Sequence, residues 1–361
     1  QGPLLPLLPG CVPSDAAKVR PQRAATPWRQ TVSAFAIVAA RATTRVTPCS
    51  WSLLPDVSDP PCAFSLCRTR LGEAIGTGSW QRIVQAEPME PGDHFRLTLF
   101  TNQPALAAAA DRAGVDRVGP DLERLGKLER QHGMSTWISD HTEAQLPSVF
   151  AALGSALRFV RCNPPHTALA TEIERLIAFG AQVIMLPYFH SVDEAARFVA
   201  VVDGRARTVL LVETGSAAAR VGQLCRIEGL DEIHFGLNDL SLDLGVKNHF
   251  AVLCSTLLEE ACATLVAAGF PFAVGGIGRA LDASLPIPSE LVYAQYPRLG
   301  ATGALVSRVF FKDLPQEQFA PEVTRARERL TYWSQQSTSR LREAREELDA
   351  LVVAGASRAG R

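Results

Sequence analysis

From residue 93 onward, short apolar runs alternate with segments that have helical periodicity. This alternation predicts an α/β fold with a parallel sheet. The apolar runs are nearly continuous, which is typical of parallel strands buried on both faces. The predicted strands are Phe95–Phe100, Arg117–Leu122, Leu157–Cys162, Gln182–Phe189, Thr208–Val212, Glu232–Phe235, Pro271–Val274 and Gly303–Val309. Eight strands, each but the last followed by a helix, predict a (β/α)8 TIM barrel over residues 93–315.

The segments between these strands predict the outer layer of helices. They are Pro104–Ala113, Ala144–Leu153, Glu172–Phe179, Val192–Val202, Ser216–Ile227, Ala251–Ala268 and Ser289–Leu299. Beyond the barrel, residues 316–361 form a C-terminal extension in which Glu322–Leu351 predicts a charged helix or helix pair. Arginine and glutamate alternate there at helical spacing, as on a solvated helix face. The alternative is a contact between subunits.

Residues 1–92 do not share this pattern. Prolines recur throughout and the hydrophobic periodicity is poor, which predicts a disordered or irregular N-terminal extension. The stretch Lys18–Arg45 is rich in arginine and contains no acidic residue, a composition typical of organellar transit peptides. We expect a cytoplasmic protein, with organellar targeting as the alternative.

Composition excludes several classes of function. A formal net charge of −1 gives no reason to expect nucleic acid or an anionic membrane surface as a partner. The sequence has no uninterrupted apolar run long enough to predict a transmembrane helix. The eight cysteines include no CxxC pair, which disfavours a structural zinc site and predicts free thiols.

Two predicted strands end in carboxylates. Glu213 follows Thr208–Val212, Asp239 follows Glu232–Phe235, and the helical segment between them makes a βαβ unit. Parallel neighbouring strands bring both carboxylates to the C-terminal edge of the sheet, where barrels carry their chemistry. Two hard oxygen ligands suit a divalent cation, Mg²⁺ or Mn²⁺. The alternative for each is a solvated, capping or ion-paired carboxylate.

Other polar residues are predicted at the same edge. Arg161 ends the third strand and could bind a substrate carboxylate or enolate oxygen, or pair with a rim carboxylate. Asp121 and Glu123 end the second strand, as site residues or as loop partners of nearby arginines. His141 precedes a helix and is a candidate general base, the alternative being a surface histidine at the helix start.

From Phe95 to Phe311 the sequence resembles the HpcH/HpaI aldolase and citrate lyase β-subunit superfamily. The motifs that carry the resemblance are LLVET at 210–214, GLDEIHFGLNDLSLDLG at 229–245 and FVRCNPP at 159–165. The resemblance implies a class II aldolase, a carbon–carbon lyase on a (β/α)8 barrel. It also implies a homo-oligomer, because several members exchange C-terminal helices between protomers.

The resemblance further implies roles for individual residues. Mg²⁺ or Mn²⁺ on Glu213 and Asp239 would chelate a 2-keto acid such as pyruvate, and Arg161 would bind its oxygen. His141, or a metal-bound hydroxide helped by Asp121, would move the proton while an aldehyde serves as the second substrate. The following residues are expected to line the substrate site: Gly236, Leu237 and Asn238.

Two alternatives stay open. The run Asp121–Glu123 resembles the DLE motif of the citrate lyase branch, which favours a citramalyl- or malyl-CoA-type lyase acting on a CoA thioester. Where aldolases pair the histidine with an aspartate, this chain has Ala178, which also weakens the plain aldolase assignment. The second alternative is a non-catalytic barrel that serves as a scaffold, and it predicts no metal binding.

Overall fold

The computed structural model describes residues 94–127, 139–282 and 284–359. The predicted N-terminal extension, residues 1–92, lies outside the described residues. Within the described part, no helix is both long enough and apolar enough to cross a membrane.

All the strands of the described chain belong to one parallel sheet. The strands are β1 (Arg96–Phe100), β2 (Arg117–Gly119), β3 (Leu157–Arg161), β4 (Val183–Leu186), β5 (Arg207–Val212), β6 (Glu232–Phe235), β7 (Phe272–Val274), β8 (Gly276–Ile277) and β9 (Gly303–Val306). Their order across the sheet is β7-β6-β5-β4-β3-β2-β1-β9-β8. Only Gly275 separates β7 from β8, so these two are halves of one strand and the sheet closes on itself. The prediction of a (β/α)8 barrel is confirmed.

The interruption of the seventh strand has a local cause. Gly275 has a φ of +54°, a conformation that glycine adopts without the steric penalty of a side chain. A Cβ atom there would also lie 2.5 Å from Cδ1 of Leu237. The kink lets β7 pair with β6 and β8 pair with β9.

Helices surround the barrel. They are α1 (Pro104–Arg112), α2 (Leu146–Ala151), α3 (Leu169–Ala178), α4 (Val192–Val202), α5 (Gly215–Ala218), α6 (Val221–Leu224), α7 (Leu237–Asp243), α8 (Phe250–Leu253), α9 (Thr256–Ala267), α10 (Ser289–Tyr293), α11 (Gln295–Leu299), α12 (Arg308–Phe311), α13 (Gln316–Ser334) and α14 (Thr338–Ala359). Side chains fix several starts: Ser191 forms a capping box with Glu194 before α4, and Thr214 caps α5.

Several predicted elements are shorter or broken. The fourth strand ends at Leu186 instead of Phe189, because Pro187 follows and Tyr188 adopts a left-handed φ of 44°. The predicted helix Ser216–Ile227 is two short helices, α5 and α6. The predicted Ala251–Ala268 breaks at Ser255, whose side chain caps α9. The predicted Ser289–Leu299 is likewise two helices that meet at Ala294.

The core has two layers. Large apolar residues fill the space between sheet and helices, and a smaller cluster fills the barrel interior. The interior cluster consists of Phe159, Val183, Met185, Val209 and Leu211. Below it, at the N-terminal ends of the strands, Arg117 of β2 donates a 2.7 Å hydrogen bond to Glu232 of β6. This ion pair closes the end of the barrel opposite the predicted chemistry.

The C-terminal extension is a helix pair that packs on its own barrel. Arg329 of α13 pairs with Glu290 of α10, and Trp333 Nε1 donates a 2.9 Å hydrogen bond to the same carboxylate. From α14, Ala344 and Leu348 are fully buried. A subunit contact through the remaining exposed faces stays a prediction.

We predict that Gly119→Ala separates β2 from β3. A Cβ atom at Gly119 would lie 1.6 Å from the carbonyl oxygen of Phe159, so the backbones themselves must move. We expect the free energy of unfolding in urea to fall by about 3 kcal/mol or more. The control is Gly355→Ala in α14, where a Cβ meets nothing within 4 Å and should stabilise the helix by up to about 1 kcal/mol. Equal stabilities of the two variants would contradict the close approach.

Candidate active site

Four of the predicted site residues converge at the C-terminal ends of β2, β3, β5 and β6. Asp121, Arg161, Glu213 and Asp239 are 3%, 8%, 2% and 6% exposed, respectively. Strands β5 and β6 run in register, with Val212 opposite Phe235, so the segments carrying Glu213 and Asp239 leave the sheet side by side. Charged side chains buried this deeply require partners or ligands.

Arg161 is the centre of a buried ion cluster. Its Nε and Nη2 donate to the two oxygens of Asp121 at 2.8 and 2.7 Å. Nη2 also lies 3.1 Å from Oε2 of Glu123. The guanidinium stacks on the ring of Phe100, 4.9 Å from its centroid. Its Nη1 has no hydrogen-bond partner among the residues the structure describes.

Lys127 completes this cluster, and sequence reasoning missed it. The side chain is 4% exposed, and its Nζ lies 2.9 Å from Oε2 of Glu123 and 3.4 Å from Oδ2 of Asp121. A lysine four residues after Glu123 could have been noticed as an (i, i+4) partner. The arginines near these carboxylates in the sequence have other partners in the described chain: Arg117 binds Glu232, and Arg124 donates to backbone carbonyls.

The buried carboxylates of this site have pKa values shifted in opposite directions. Burial works against ionisation of Asp121 and Glu123, but Arg161 and Lys127 outweigh it and hold both pKa values below their usual range. Burial raises the pKa of Glu213 well above its usual range, and the neighbouring charges of Glu123 and Asp239 raise it further. An added cation would therefore favour the ionised form of Glu213.

Backbone geometry holds Glu213 in place. The left-handed turn at Tyr188 directs its peptide N–H to Oε1 of Glu213, at 2.9 Å. On the other side, a Cβ atom at Gly236 would lie 2.8 Å from Oε2 of Glu213. Any side chain at Gly236 would therefore displace this carboxylate. The strained φ of a bulky residue beside a buried carboxylate is typical of functional sites.

The three residues expected to line the substrate site differ in burial and in hydrogen bonding. The N–H of Gly236 donates to the carbonyl of Val212 at 3.0 Å, so it is committed to the sheet. Leu237 is buried against Gly275. Asn238 is exposed. Substrate contact through Asn238 stays a prediction, whereas the N–H of Gly236 is used in a hydrogen bond to the backbone of β5.

His141 lies beside Asp121, on the loop before α2. The peptide N–H of Asp121 donates to Nδ1 of His141 at 2.9 Å. Burial lowers the pKa of the imidazole, against the opposing charges of Asp121 and Asp140. The lone pair on Nδ1 is thus already used by a hydrogen bond, and the role of general base stays a prediction.

A second residue missed in the sequence is Arg308, the first residue of α12 and the second residue after β9. Its charge acts on His141, and the charges of Asp121 and Arg161 act on it. It follows Ser307 at the end of a barrel strand, a position typical of barrel site residues. This position near the end of a predicted strand is the feature from which Arg308 could have been predicted as a site residue.

The donor set fits a hard divalent cation. Asp121 and Glu123 are engaged by Arg161 and Lys127, and Glu213 and Asp239 are the two carboxylates that the sequence predicts as metal ligands. In the described part of the chain, no three His, Cys, Asp or Glu side chains group closely enough to hold a metal by themselves. A cation here would therefore complete its shell with water and substrate, as Mg²⁺ commonly does.

Comparison with known proteins identifies a family. Residues 96–275 match the family model described as HpcH/HpaI aldolase/citrate lyase. The match contains β1 to β7 and every site residue described above except Arg308. None of the curated proteins matches the sequence.

Solved structures of low sequence identity are also similar. An HpcH/HpaI aldolase/citrate lyase family protein from Burkholderia cenocepacia J2315 is 16% identical, with a TM-score of 0.49, over 65% of this chain and 96% of that one. The citrate lyase β subunit of M. tuberculosis, complexed with oxaloacetate and magnesium, is 19% identical, with a TM-score of 0.42, over 64% and 96%. An HpcH/HpaI aldolase from Desulfitobacterium hafniense DCB-2 is 17% identical, with a TM-score of 0.44, over 60% and 86%.

We predict that Lys127→Met destabilises the fold. Removal of one cation leaves the buried Asp121 and Glu123 carboxylates with Arg161 as their remaining charged partner among those described. Breaking a buried pair in this way costs about 3–5 kcal/mol. The measurement is the free energy of unfolding in urea at neutral pH.

The matched control is Lys312→Met, because Lys312 is exposed. It should change stability by no more than about 0.5 kcal/mol. A loss at Lys127 as small as that of the control would show that the ion cluster does not depend on Lys127.

Proposed function

Residues 96–275 of this chain belong to the HpcH/HpaI aldolase/citrate lyase family, and from this membership we propose that the protein is a metal-dependent carbon–carbon lyase. It makes or cleaves aldol adducts of a 2-keto acid such as pyruvate. The observation that carries the proposal is the position of Glu213 and Asp239 on adjacent, in-register strand ends, next to the buried Arg161.

Glu213 and Asp239 would hold Mg²⁺ or Mn²⁺. A divalent cation at this position supplies Lewis-acid polarisation of a keto oxygen. Two backbone features hold the Glu213 carboxylate in position. The N–H of Tyr188 donates to it, and Gly236 has no side chain that would displace it. Water exclusion by the buried surroundings strengthens electrostatic interactions with the substrate.

Arg161 binds and orients the substrate. Its Nη1 is the part of the guanidinium that remains available for a substrate carboxylate or for the oxygen on which negative charge develops. Asp121 fixes the direction of that donor by a two-point contact, as bidentate pairs do. The lowered pKa of Asp121 makes it a poor proton acceptor, so its role is to position Arg161.

A CoA-thioester lyase is the second candidate. The specific observation is that Asp121 and Glu123, the acidic residues of the DLE run, both contact Arg161 inside the buried centre. The same carboxylate pair and the same arginine would then act on a thioester carbonyl. The aldehyde or thioester partner, homo-oligomeric assembly and cytoplasmic location all stay proposals.

The test is deuterium exchange of the pyruvate methyl group in D₂O, followed by NMR with Mg²⁺ or Mn²⁺. Enolisation replaces a methyl C–H by C–D and requires no knowledge of the second substrate. We expect metal-dependent exchange that EDTA abolishes. Asp239→Asn should weaken Mn²⁺ binding, measured by calorimetry, by about 100-fold or more, because it removes a charged ligand.

Arg161→Lys separates substrate orientation from metal binding. It keeps the positive charge beside Asp121 but loses the forked geometry. We expect exchange to fall about 100- to 1,000-fold while Mn²⁺ affinity is retained. The control is Asp203→Asn, an exposed residue in the left-handed position that ends α4, at the opposite end of the barrel.

The outcomes distinguish the candidates. Mn²⁺ binding without pyruvate exchange would contradict the 2-keto-acid assignment, and methyl exchange on acetyl-CoA would then support the thioester lyase. Absence of Mn²⁺ binding by the folded wild type would contradict both enzymatic candidates. It would favour the non-catalytic barrel.

A further inference from the structure

We infer that His141 is a fixed hydrogen-bond donor to a substrate oxygen through Nε2–H, and that it is not the general base of this site. The inference deepens the proposed function and rests on it for the identity of the substrate. The tautomer on which it depends is a property of the chain alone. It can therefore be tested separately.

The hydrogen-bond partner of Nδ1 decides the tautomer. A neutral imidazole has one N–H and one lone pair, on different nitrogens. The peptide N–H of Asp121 donates to Nδ1 at 2.9 Å, so Nδ1 carries the lone pair. The hydrogen of the neutral ring is therefore on Nε2.

Neighbouring contacts hold the loop that carries His141 in place beside Asp121. Ser139 Oγ donates to the carbonyl of Asp121 at 2.9 Å and accepts from the N–H of His141 at 3.3 Å. Arg124 Nη2 donates to the carbonyls of Asp140 and His141 at 3.0 and 2.9 Å. Three of these four hydrogen bonds join the loop that carries His141 to the loop after β2, and the fourth, from His141 to Ser139, lies within the His141 loop.

The same geometry removes the base function. To accept a proton, the Nε2–H tautomer must take it on Nδ1, where it would face the N–H of Asp121. Burial, together with the positive charges of Arg308 and Lys127, opposes protonation and outweighs Asp121 and Asp140, so the pKa of the ring lies below its usual value. A neutral imidazole is suited to polarise a carbonyl through its N–H.

Asp121 connects this donor to the centre of the site. Its carboxylate orients the guanidinium of Arg161, while its peptide N–H orients the imidazole of His141. Nε2 of His141 has no hydrogen-bond partner among the described residues and is not a buried unpaired atom, so it reaches solvent. One residue therefore presets two donors, an arrangement suited to oxygen atoms on which charge develops.

The first test is ¹⁵N NMR of the full chain labelled with ¹⁵N-histidine at neutral pH. The chain has seven histidines, and His141→Gln identifies the signals of His141 by their loss. We expect a protonated Nε2 and an unprotonated Nδ1. A proton on Nδ1, either in the other tautomer or in the imidazolium, would overturn the inference without any measurement of activity.

The second test compares His141→Ala with His141→Gln in the pyruvate exchange assay. The glutamine amide can donate near the Nε2 position but cannot act as a base. We expect exchange to fall about 100-fold in His141→Ala and to recover to within about tenfold of wild type in His141→Gln. The control is His94→Ala, an exposed residue before β1 at the opposite end of the barrel.

Each other result is decisive. Equal loss in both His141 variants would restore the base role, and full activity in both would remove His141 from the reaction. A wild-type protein with the Nε2–H tautomer but no exchange on pyruvate or acetyl-CoA would refute the proposed function. The donor role on substrate would fall with it, while the tautomer would stand.

Discussion

The buried pairing of Arg161 with Asp121 is the interaction on which the site depends. A guanidinium and a carboxylate cannot be removed from water separately without a large cost in desolvation. Here each oxygen of Asp121 accepts from the guanidinium, and Lys127 and Glu123 complete the cluster. The pair also joins the end of β3 to the loop after β2, where Asp121 and Arg161 form a backbone bridge. The same two residues therefore neutralise each other's buried charge and hold the two chain segments together.

The ion cluster influences the ionisation of the carboxylates around it. Because Asp121 and Glu123 have their cations within the protein, they remain ionised and fixed. Glu213 lies near them, but its pKa is shifted in the other direction, because burial and its acidic neighbours disfavour the ionised form. Carboxylates whose pKa values are shifted in opposite directions within one buried cluster are typical of functional sites. The barrel brings them together from two strand ends, with Asp121 and Glu123 after β2 and Glu213 after β5.

The sequence predicted the fold well because its signals were local and repeated. Nearly continuous apolar strands alternating with helices identify a buried parallel sheet, and the strand Glu232–Phe235 and the helix Val192–Val202 agree with the predicted bounds. Helix continuity was predicted less well. A serine cap within Ala251–Ala268 and the junction at Ala294 each divide an apolar periodicity that reads as one helix.

By itself, the sequence determined the closed barrel and the edge at which Glu213, Asp239 and Arg161 appear. Strand order and direction follow from the chain pattern, and residues at the ends of parallel strands must share an edge. Only the tertiary structure decided the partners: Lys127 for Glu123, the N–H of Asp121 for His141, and the N–H of Tyr188 for Glu213. These contacts join loops from different strands, or depend on which atom of a side chain faces a neighbour. Local sequence patterns do not reveal such geometry, because it depends on how distant segments meet in the folded chain.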